Sequence, residues 1–300
     1  MQRILSIDGG GILGLIPGTF LKRLNQRVWK DATCYAGTST GAILAAGLAL
    51  GREPEVLSDL YLKHGKKIFK YRWGSLRGLL RPKYNKEFLF EQLKATYGNA
   101  KLGDIPGDKR LVVVAFRLDG FNDERQRRWG PRIFDSSHEE DKSEFVHDVV
   151  MGSAAAPTYF PTHGRYSDGG MVANNPIMCA IAALLNTNTC GLDDMVALSL
   201  GTGEIEKFIQ FDFGAEVDKD WGALKWMRKG LIDIFMTGTE AVPNFQARQL
   251  LRDRMFRLDP AMTGVKFDME SVDMMEQMVG YAESLPIDDV NQWVESHWLS

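Results

Sequence analysis

Residues 3–14 read Arg-Ile-Leu-Ser-Ile-Asp-Gly-Gly-Gly-Ile-Leu-Gly, and this stretch decides how the chain begins to fold. The aliphatic residues 3–7 predict a short buried strand, and the glycine-rich residues 9–14 predict a turn. Residues 15–29 predict a helix, because apolar side chains recur at four-residue spacing and Pro17 lies in the first turn, where proline is tolerated. The chain therefore opens with a strand, a glycine turn and a helix.

The same order of elements repeats directly afterwards. Residues 33–36 predict a strand, residues 37–41 a turn, and residues 42–50 an alanine-rich helix. Further on, the pattern predicts two central strands, at 111–118 and 196–200, and two helices, at 145–156 and 176–185, the second with Asn175 as N-cap. The polar stretch 119–142 is expected to be a solvated loop or insertion. Alternating strands and helices favour an α/β fold whose sheet is covered on both faces.

The chain is expected to form one domain over residues 1–300. Its recognisable motifs fall within 3–203, and residues 204–300 are expected to add C-terminal helices and a late strand on the same core. With 25% charged and 44% hydrophobic residues, the composition is that of an ordinary globular protein.

Charge and cysteine usage exclude some classes of function. A formal net charge of −3 provides no basic field, so nucleic acid is not expected as a partner. Cys34, Cys179 and Cys190 lack CxxC spacing, which argues against a disulfide framework or zinc site and favours the cytoplasm. No secretory signal is seen at the N-terminus, and the most apolar segment, 42–50, is far shorter than the roughly 20 residues that span a bilayer. Any membrane contact is expected to be peripheral.

The first chemical motif is Gly37-Thr38-Ser39-Thr40-Gly41, a G-x-S-x-G between a predicted strand and helix. In that context a sharp turn lifts the serine hydroxyl out of the sheet, and the following helix N-terminus favours negative charge. Ser39 is therefore a candidate nucleophile. An ordinary glycine turn at the start of a helix remains the alternative.

The second motif, Gly9-x-Gly11-x-x-Gly14, admits three interpretations. It matches a dinucleotide-binding fingerprint, with Asp31 near the distance expected for a ribose-binding acid. Alternatively, main-chain N–H groups of Gly9, Gly10 and Gly11 are left uncovered and can hold an oxyanion, or the glycines serve only a tight turn. The nucleophile motif one strand later favours the oxyanion, because a dinucleotide fold has no use for it.

A serine nucleophile needs a base, and the histidines are poorly placed to supply it. An α/β-hydrolase order of serine, acid and histidine would have to use His297, close to the chain end. The remaining candidate is Asp168, in the turn-like Asp168-Gly169-Gly170, acting as a carboxylate that takes the serine proton directly. Such a base works where partial desolvation raises its pKa.

Five segments together resemble the patatin-like phospholipases. They are DGGGILGL (8–15), AGTSTGAILA (36–45), SAAAPTYFP (153–161), SDGGMVANNP (167–176) and SLGTG (199–203), and residues 244–260 resemble the family's late helix and strand. The resemblance implies a three-layer α/β/α fold, a Ser39-Asp168 dyad, an oxyanion hole at Gly9, Gly10 and Gly11, and no metal or organic cofactor. The implied reaction is hydrolysis of acyl esters in phospholipid, lysolipid or neutral lipid.

The sequence departs from this family at Leu13, where the glycine loop usually carries Arg or Lys. The missing cation favours neutral lipids or lysolipids as substrates. It also keeps open a catalytically weak relative that acts as an interaction protein.

Two segments are candidates for contact with a membrane surface. The segment from Lys63 to Lys86 contains nine Lys or Arg and no acidic residue, interleaved with aromatic side chains. A solvated basic face or a protein-binding patch explains it equally well. Residues 221–236 form a second basic and apolar segment, for which helix packing in the core is favoured.

Overall fold

The computed structural model describes residues 1–73, 80–121, 126–187, 189–204, 208–209 and 220–300. Its centre is a mostly parallel sheet of seven strands: β1 (Gln2–Ile7), β2 (Cys34–Thr38), β3 (Arg110–Arg117), β4 (Gly130–Asp135), β5 (Tyr166–Asp168), β6 (Met195–Leu200) and β7 (Met255–Leu258). The strands lie in the order β4-β3-β2-β1-β6-β7, and β5 also pairs with β3. β4 and β5 run antiparallel to β3.

Helices cover both faces of this sheet because its central strands are apolar on both sides. In β1, for example, Leu5 and Ile7 pack into one core and Ile4 into the other. The larger core is formed with α1 (Leu15–Arg23), α3 (Thr40–Ala49), α4 (Pro54–Ile68), α5 (Glu87–Tyr97), α6 (Val146–Ser153), α11 (Met275–Ser284) and α12 (Asp288–Trp293). The smaller core is formed with α8 (Ile177–Leu185) and α10 (Leu231–Leu251). The expected α/β/α fold is confirmed.

Most predicted elements are present, but the first helix is shorter than predicted. It ends at Arg23, and a separate short helix, α2, follows at Arg27–Lys30. The side chain of Asn25 accepts a hydrogen bond of 3.0 Å from the main-chain N–H of Arg27. Asparagine competes in this way with the regular helical bonds, which accounts for the break.

The prediction that residues 119–142 form only a loop is wrong in part, because β4 lies within them; residues 122–125 are outside the described part of the chain. β4 is an edge strand, where polar side chains are tolerated. Phe134 is buried, and Asp135 forms a buried ion pair with Arg110 of β3. Within β4, the charged residue Asp135 therefore reflects specific pairing rather than solvation.

Residues 221–236 do form helices, but the prediction that they pack in the core is wrong. Gly230, with φ 87°, separates α9 (Ala223–Arg228) from α10. Leu224 and Phe235 are 60% and 63% exposed. Within the described ranges, no helix combines the length and the apolar character needed to cross a bilayer.

Candidate active site

Ser39 lies in a sharp turn between β2 and α3. Its backbone angles, φ 53° and ψ −120°, are unusual for a residue with a side chain. A Cβ on Gly37 would lie 2.4 Å from the carbonyl oxygen of Gly41, and one on Gly41 would lie 2.0 Å from the carbonyl oxygen of Ile7. Gly37 is therefore required by close packing against the start of α3 and Gly41 by close packing against the end of β1. The strained serine between them has the geometry of a nucleophile elbow.

The register of the sheet brings Asp168 to Ser39. Thr38, the last residue of β2, pairs with Val114 of β3, and Asp168, the last residue of β5, pairs with Ala115, the next residue along β3. The opposite edge of β3 is occupied by β4. β2 and β5 therefore meet end to end along one edge of β3, and the residue after β2 lies beside the end of β5.

The Ser39 hydroxyl lies beside the Asp168 carboxylate, where its interaction with the carboxylate lowers the pKa of Asp168, and both side chains are buried. A hydrogen bond of 2.6 Å comes to Asp168 Oδ1 from the main-chain N–H of Gly170. Burial raises the pKa of Asp168 to about 6, although the interactions with Gly170 and Ser39 lower it. A carboxylate with this pKa is ionised at neutral pH and is a better proton acceptor than an exposed aspartate.

Ser153 fixes the position of Ser39, although the sequence analysis gave it no role. Its hydroxyl accepts a hydrogen bond of 2.8 Å from the main-chain N–H of Ser39 and donates one of 2.6 Å to the carbonyl oxygen of Val114. Its own carbonyl accepts the N–H of Gly169, 3.1 Å away. One residue thus ties the elbow, β3 and the Asp168 turn together. It opens the segment SAAAPTYFP, which was its only signal in the sequence.

The glycine loop faces the dyad, and its donors differ in availability. The N–H of Gly9 is donated to the carbonyl oxygen of Asn174 at 3.1 Å, and that of Ile12 to the carbonyl oxygen of Met269 at 3.2 Å. Within the described part of the chain, the N–H groups of Gly10 and Gly11 have no acceptor. These two donors are therefore available to a bound anion.

Two further motifs converge on the carbonyl oxygen of Gly9. It accepts hydrogen bonds from Thr202 Oγ1 at 3.0 Å and from Asn174 Nδ2 at 3.3 Å. A Cβ on Gly9 would lie 2.4 Å from Asn174 Oδ1 and 3.3 Å from the Cβ of Ser39, so only glycine fits this position. The residues after β5 and β6 thus fix the loop beside the nucleophile.

A buried charge cluster lies directly behind the glycine loop. Arg257 Nη2 is 2.7 Å from Asp8 Oδ2, 2.9 Å from Glu240 Oε1 and 2.5 Å from Asp259 Oδ2. The N–H groups of Arg257 are poorly aligned with the Asp8 carboxylate, so neither oxygen of Asp8 accepts a well-formed hydrogen bond from the described residues. Glu240 also accepts a hydrogen bond of 3.1 Å from Asn174 Nδ2. No sequence pattern linked Arg257 and Glu240 to the loop, because both come late in the chain.

Other candidates from the sequence do not reach this site. Asp31 precedes β2 and Ser39 follows it, so the two residues lie at opposite ends of this strand. Asp31 is ion-paired with Arg27 at 2.7 Å. Leu13 is buried in the larger core. His297 lies near the C-terminus, stacked on Trp293.

Among the described residues, His138, Glu140 and Asp141 form a group of possible metal ligands. They follow the last residue of β4, at the end of that strand remote from Ser39. Asp141 is already engaged, since it is ion-paired with Arg132 and accepts the N–H of Asp135 at 2.9 Å. This arrangement accounts for the buried carboxylate without an ion.

Most of the chain is similar to known proteins. The family model for patatin-like phospholipase matches residues 5–181. Patatin-like protein 1 of Oryza sativa subsp. indica is 30% identical over 346 aligned positions, covering 94% of this chain and 80% of that protein. Patatin group J-1 of Solanum tuberosum is 28% identical, covering 95% and 84%. The crystal structure of VipD from Legionella pneumophila is similar with a TM-score of 0.43 at 14% identity, covering 94% of this chain and 67% of that one. This chain therefore belongs to the patatin-like phospholipase family, a family of lipid hydrolases.

Proposed function

We propose that this protein cleaves ester-linked fatty acyl chains from lipids, as a phospholipase A or lysophospholipase, with Ser39 as nucleophile and Asp168 as base. The observation that carries the proposal is the placement of Ser39, in a strained turn, beside a buried carboxylate whose pKa is raised to about 6. Membership of the family supports the same class of reaction.

Acylation begins when Asp168 takes the proton from the Ser39 hydroxyl and Ser39 Oγ attacks the carbonyl carbon of the ester. The negative charge then develops on the former carbonyl oxygen, which is held by main-chain N–H groups of the glycine loop. Gly10 and Gly11 supply these donors, and Gly9 contributes by shaping the loop. Loss of one such donor typically costs about 3 kcal/mol of transition-state stabilisation.

The attack forms a tetrahedral intermediate, and its collapse breaks the ester C–O bond and leaves the acyl group on Ser39. Asp168 gives its proton to the departing alcohol, which is the lysolipid or glycerol part of the substrate. Water then attacks the acyl-enzyme while Asp168 accepts a proton from it. The fatty acid leaves when Ser39 Oγ regains that proton, which restores the starting state.

The buried side chain of Leu13 bears on the choice of substrate. A side chain in the core places no cation beside the oxyanion or a lipid phosphate, so phospholipid has no electrostatic advantage from this position. Lysolipids and neutral glycerides therefore stay candidate substrates beside phospholipids. The dinucleotide-binding alternative loses support, because Asp31 lies at the opposite end of β2 from Ser39 and the glycine loop.

The test is hydrolysis of phosphatidylcholine, lysophosphatidylcholine, diacylglycerol and a soluble short-chain ester by the purified protein. Ser39→Ala and Asp168→Asn should each lower kcat/KM by at least roughly 10⁴-fold, as losses of a nucleophile or its partner do. Ser58→Ala, which alters a buried serine on α4 away from the elbow, is the matched control and should keep wild-type activity. If both dyad variants keep wild-type turnover, or a fluorophosphonate fails to label Ser39, the proposed mechanism is wrong.

The pH profile provides a second readout of the same dyad. Asp168 can accept a proton only when it is ionised, so kcat/KM should rise with pH through an apparent pKa near 6. A profile that is flat between pH 5 and 7.5 would contradict the assignment of Asp168 as the base.

A further inference from the structure

The long helix α10 has two faces of opposite character. Its inner face contacts the candidate site and the smaller core: Thr239 donates a hydrogen bond of 2.8 Å to the carbonyl oxygen of Gly170, Glu240 contacts Asn174, and Ala247 and Leu251 are fully buried. Its outer face is apolar and exposed, with Ile234 at 41%, Phe235 at 63%, Val242 at 56% and Phe245 at 63%. At 100° per residue, these four side chains fall in one stripe about 100° wide.

This outer stripe contains no charge over about four helical turns. The only charged residues between 231 and 247 are Asp233 and Glu240, which lie on the inner side of the helix by the same spacing. Glu240 is indeed paired with Arg257 inside the protein. A solvated helix of this length would carry charged side chains on its outer face, so its present composition indicates a surface that is covered in use.

The residues that flank the stripe are basic. α9 exposes Leu224 and Met227 beside Lys225, Arg228 and Lys229, and the ammonium groups of Lys225 and Lys229 lie 5.4 and 5.7 Å from the ring of Trp221. Arg248 follows the stripe at its other end and is exposed. Asp220, before α9, is an exposed acid among the described residues of this region. An apolar face with basic residues at both ends complements a negatively charged lipid surface.

We propose that the outer surface of α9 and α10, called here the α9–α10 face, docks this protein on an anionic lipid bilayer. The inference rests on the proposed function, because the partner is chosen as the substrate phase of a lipid hydrolase. The inner face of the same helix lies against Gly170, two residues after Asp168. A bilayer on the outer face therefore lies about one helix diameter, roughly 10 Å, from the loop that carries the base.

The basic segment from Lys63 to Lys86 fits this role less well; its residues 74–79 lie outside the described part. Phe69 and Tyr84 are buried there and serve the core. Lys83, Tyr71 and Tyr84 are bonded to Glu270, so part of the charge and aromatic surface is used inside the protein. Trp73, at 97% exposure, is the described aromatic side chain of this segment that is most available to a membrane.

The test measures binding of full-length Ser39→Ala protein to vesicles by flotation, so that no lipid is consumed. Two compositions are used: pure phosphatidylcholine, and phosphatidylcholine with phosphatidylserine. Adding Phe235→Asp and Phe245→Asp should weaken binding to both by at least about tenfold, because two aromatic side chains can no longer enter the apolar layer. Val56→Asp is the matched control, since Val56 is 52% exposed on α4, and it should bind like its parent.

Two further variants separate charge from the alternative surface. Replacing Lys225, Arg228 and Lys229 by serine should lower binding to the phosphatidylserine vesicles and leave binding to pure phosphatidylcholine nearly unchanged. Trp73→Asp should leave both unchanged. If Trp73→Asp abolishes binding while the phenylalanine variants do not, the docking surface lies in the segment from Lys63 to Lys86 and the proposal is wrong.

Three other results would overturn the proposal. They are absence of vesicle binding by the parent protein, binding that ignores the phenylalanine substitutions, and a dimer that these substitutions convert to a monomer. The last result would make the α9–α10 face an interface between copies of the chain. Hydrolysis of a soluble short-chain ester by the active protein reports the proposed function separately, and Phe235→Asp with Phe245→Asp should preserve it.

Discussion

Two buried arginines in this protein pair with carboxylates, but the number of carboxylates that each one faces differs. Arg110, on β3, faces one carboxylate, that of Asp135, to which its Nε donates a hydrogen bond of 2.8 Å. Arg257, on β7, faces the three carboxylates of Asp8, Glu240 and Asp259. We call the first the Arg110 pair and the second the Arg257 cluster. In the Arg110 pair, one cation faces one carboxylate. In the Arg257 cluster, one cation faces three carboxyl groups, so their full ionisation would leave a net negative charge.

The pKa values of the carboxyl groups follow this balance. Burial opposes ionisation of Asp135, but hydrogen bonds from Arg110 and Ser137 hold its pKa below the usual range. In the cluster, burial raises the pKa of Asp8 to about 7, despite the attraction of Arg257. Burial and the charge of Asp8 raise the pKa of Glu240 to about 8. The pair is therefore fixed in charge, whereas the cluster holds protons near neutral pH.

The location of each group explains why this difference matters. The Arg110 pair joins β3 to the edge strand β4, far from the dyad. In the cluster, Asp8 directly precedes Gly9, and Glu240 accepts a hydrogen bond from Asn174, which itself bonds to Gly9. The position of the glycine loop thus depends on an arrangement of charges that changes with pH. We infer that the Arg110 pair supports only the fold, whereas the Arg257 cluster also positions the loop.

The largest effect is expected from removing each arginine. Arg257→Met and Arg110→Met should each lower the free energy of unfolding by about 3–5 kcal/mol at pH 8, because a buried carboxylate loses its cation. Only Arg257→Met should also lower kcat/KM, since Asp8 and Glu240 then repel each other behind the glycine loop. Urea unfolding measures the free energy of unfolding. Hydrolysis of a soluble ester measures kcat/KM, below the urea concentration at which either variant unfolds.

The arginine comparison has a clear contrary outcome. If both variants lose the same stability and retain the same activity, the cluster has no positioning role and the two arginines are equivalent. If the stability lost in Arg257→Met is not recovered in part at pH 6, the carboxylates do not take up protons as their raised pKa values require.

The second, smaller effect concerns the pH dependence of stability. A carboxyl group with a raised pKa in the folded protein binds its proton more tightly there, so Glu240 contributes stability that is lost as pH rises from about 4.5 to about 8. Glu240→Gln removes this ionisation and should raise Tm relative to the wild type at pH 8.5 by roughly 2–4 °C, with a smaller gain at pH 6, where only part of this stability has been lost. Thermal unfolding followed by circular dichroism at both pH values measures the shift.

Asp135→Asn is the control for this measurement, because the sign of its effect is opposite. A group whose pKa is lowered by folding contributes stability above its usual range and loses it only in acid. The variant should therefore be less stable than the wild type at pH 6 and pH 8.5 alike. A Glu240→Gln protein that is destabilised equally at both values would contradict the assigned pKa shift.

The sequence indicated the residues at the centre of this candidate site because its motifs are local. Strand, glycine turn and helix are encoded within a few residues around Ser39, and the loop at Gly9 is encoded in the same way. Asp168 was found by its place in an ordered set of motifs. Its contact with Ser39 depends on the end-to-end placement of β2 and β5 along β3, which is a property of the sheet.

The parts that were missed depend on contacts between distant segments. Arg257 is 249 residues after Asp8, and no periodicity links the two. The strand β4 was hidden because its polar side chains, Asp135 and Arg132, are paired with the distant Arg110 and with Asp141. The apolar residues within 221–236 were assigned to the core, because an apolar stripe has the same pattern whether protein or another phase covers it.

The smallest effect is expected at a third ion pair, which separates burial from pairing geometry. Arg127 and Asp119 form two parallel hydrogen bonds of 2.7 Å, a geometry as good as that of the Arg110 pair, but both side chains are more than half exposed. Water already solvates these charges, so forming the pair releases little free energy. Asp119→Asn should leave the urea midpoint unchanged within error at pH 6 and at pH 8.5. A measurable loss would show that bidentate geometry alone stabilises the protein, and the contrast between the Arg110 pair and the Arg257 cluster would then need an explanation other than burial.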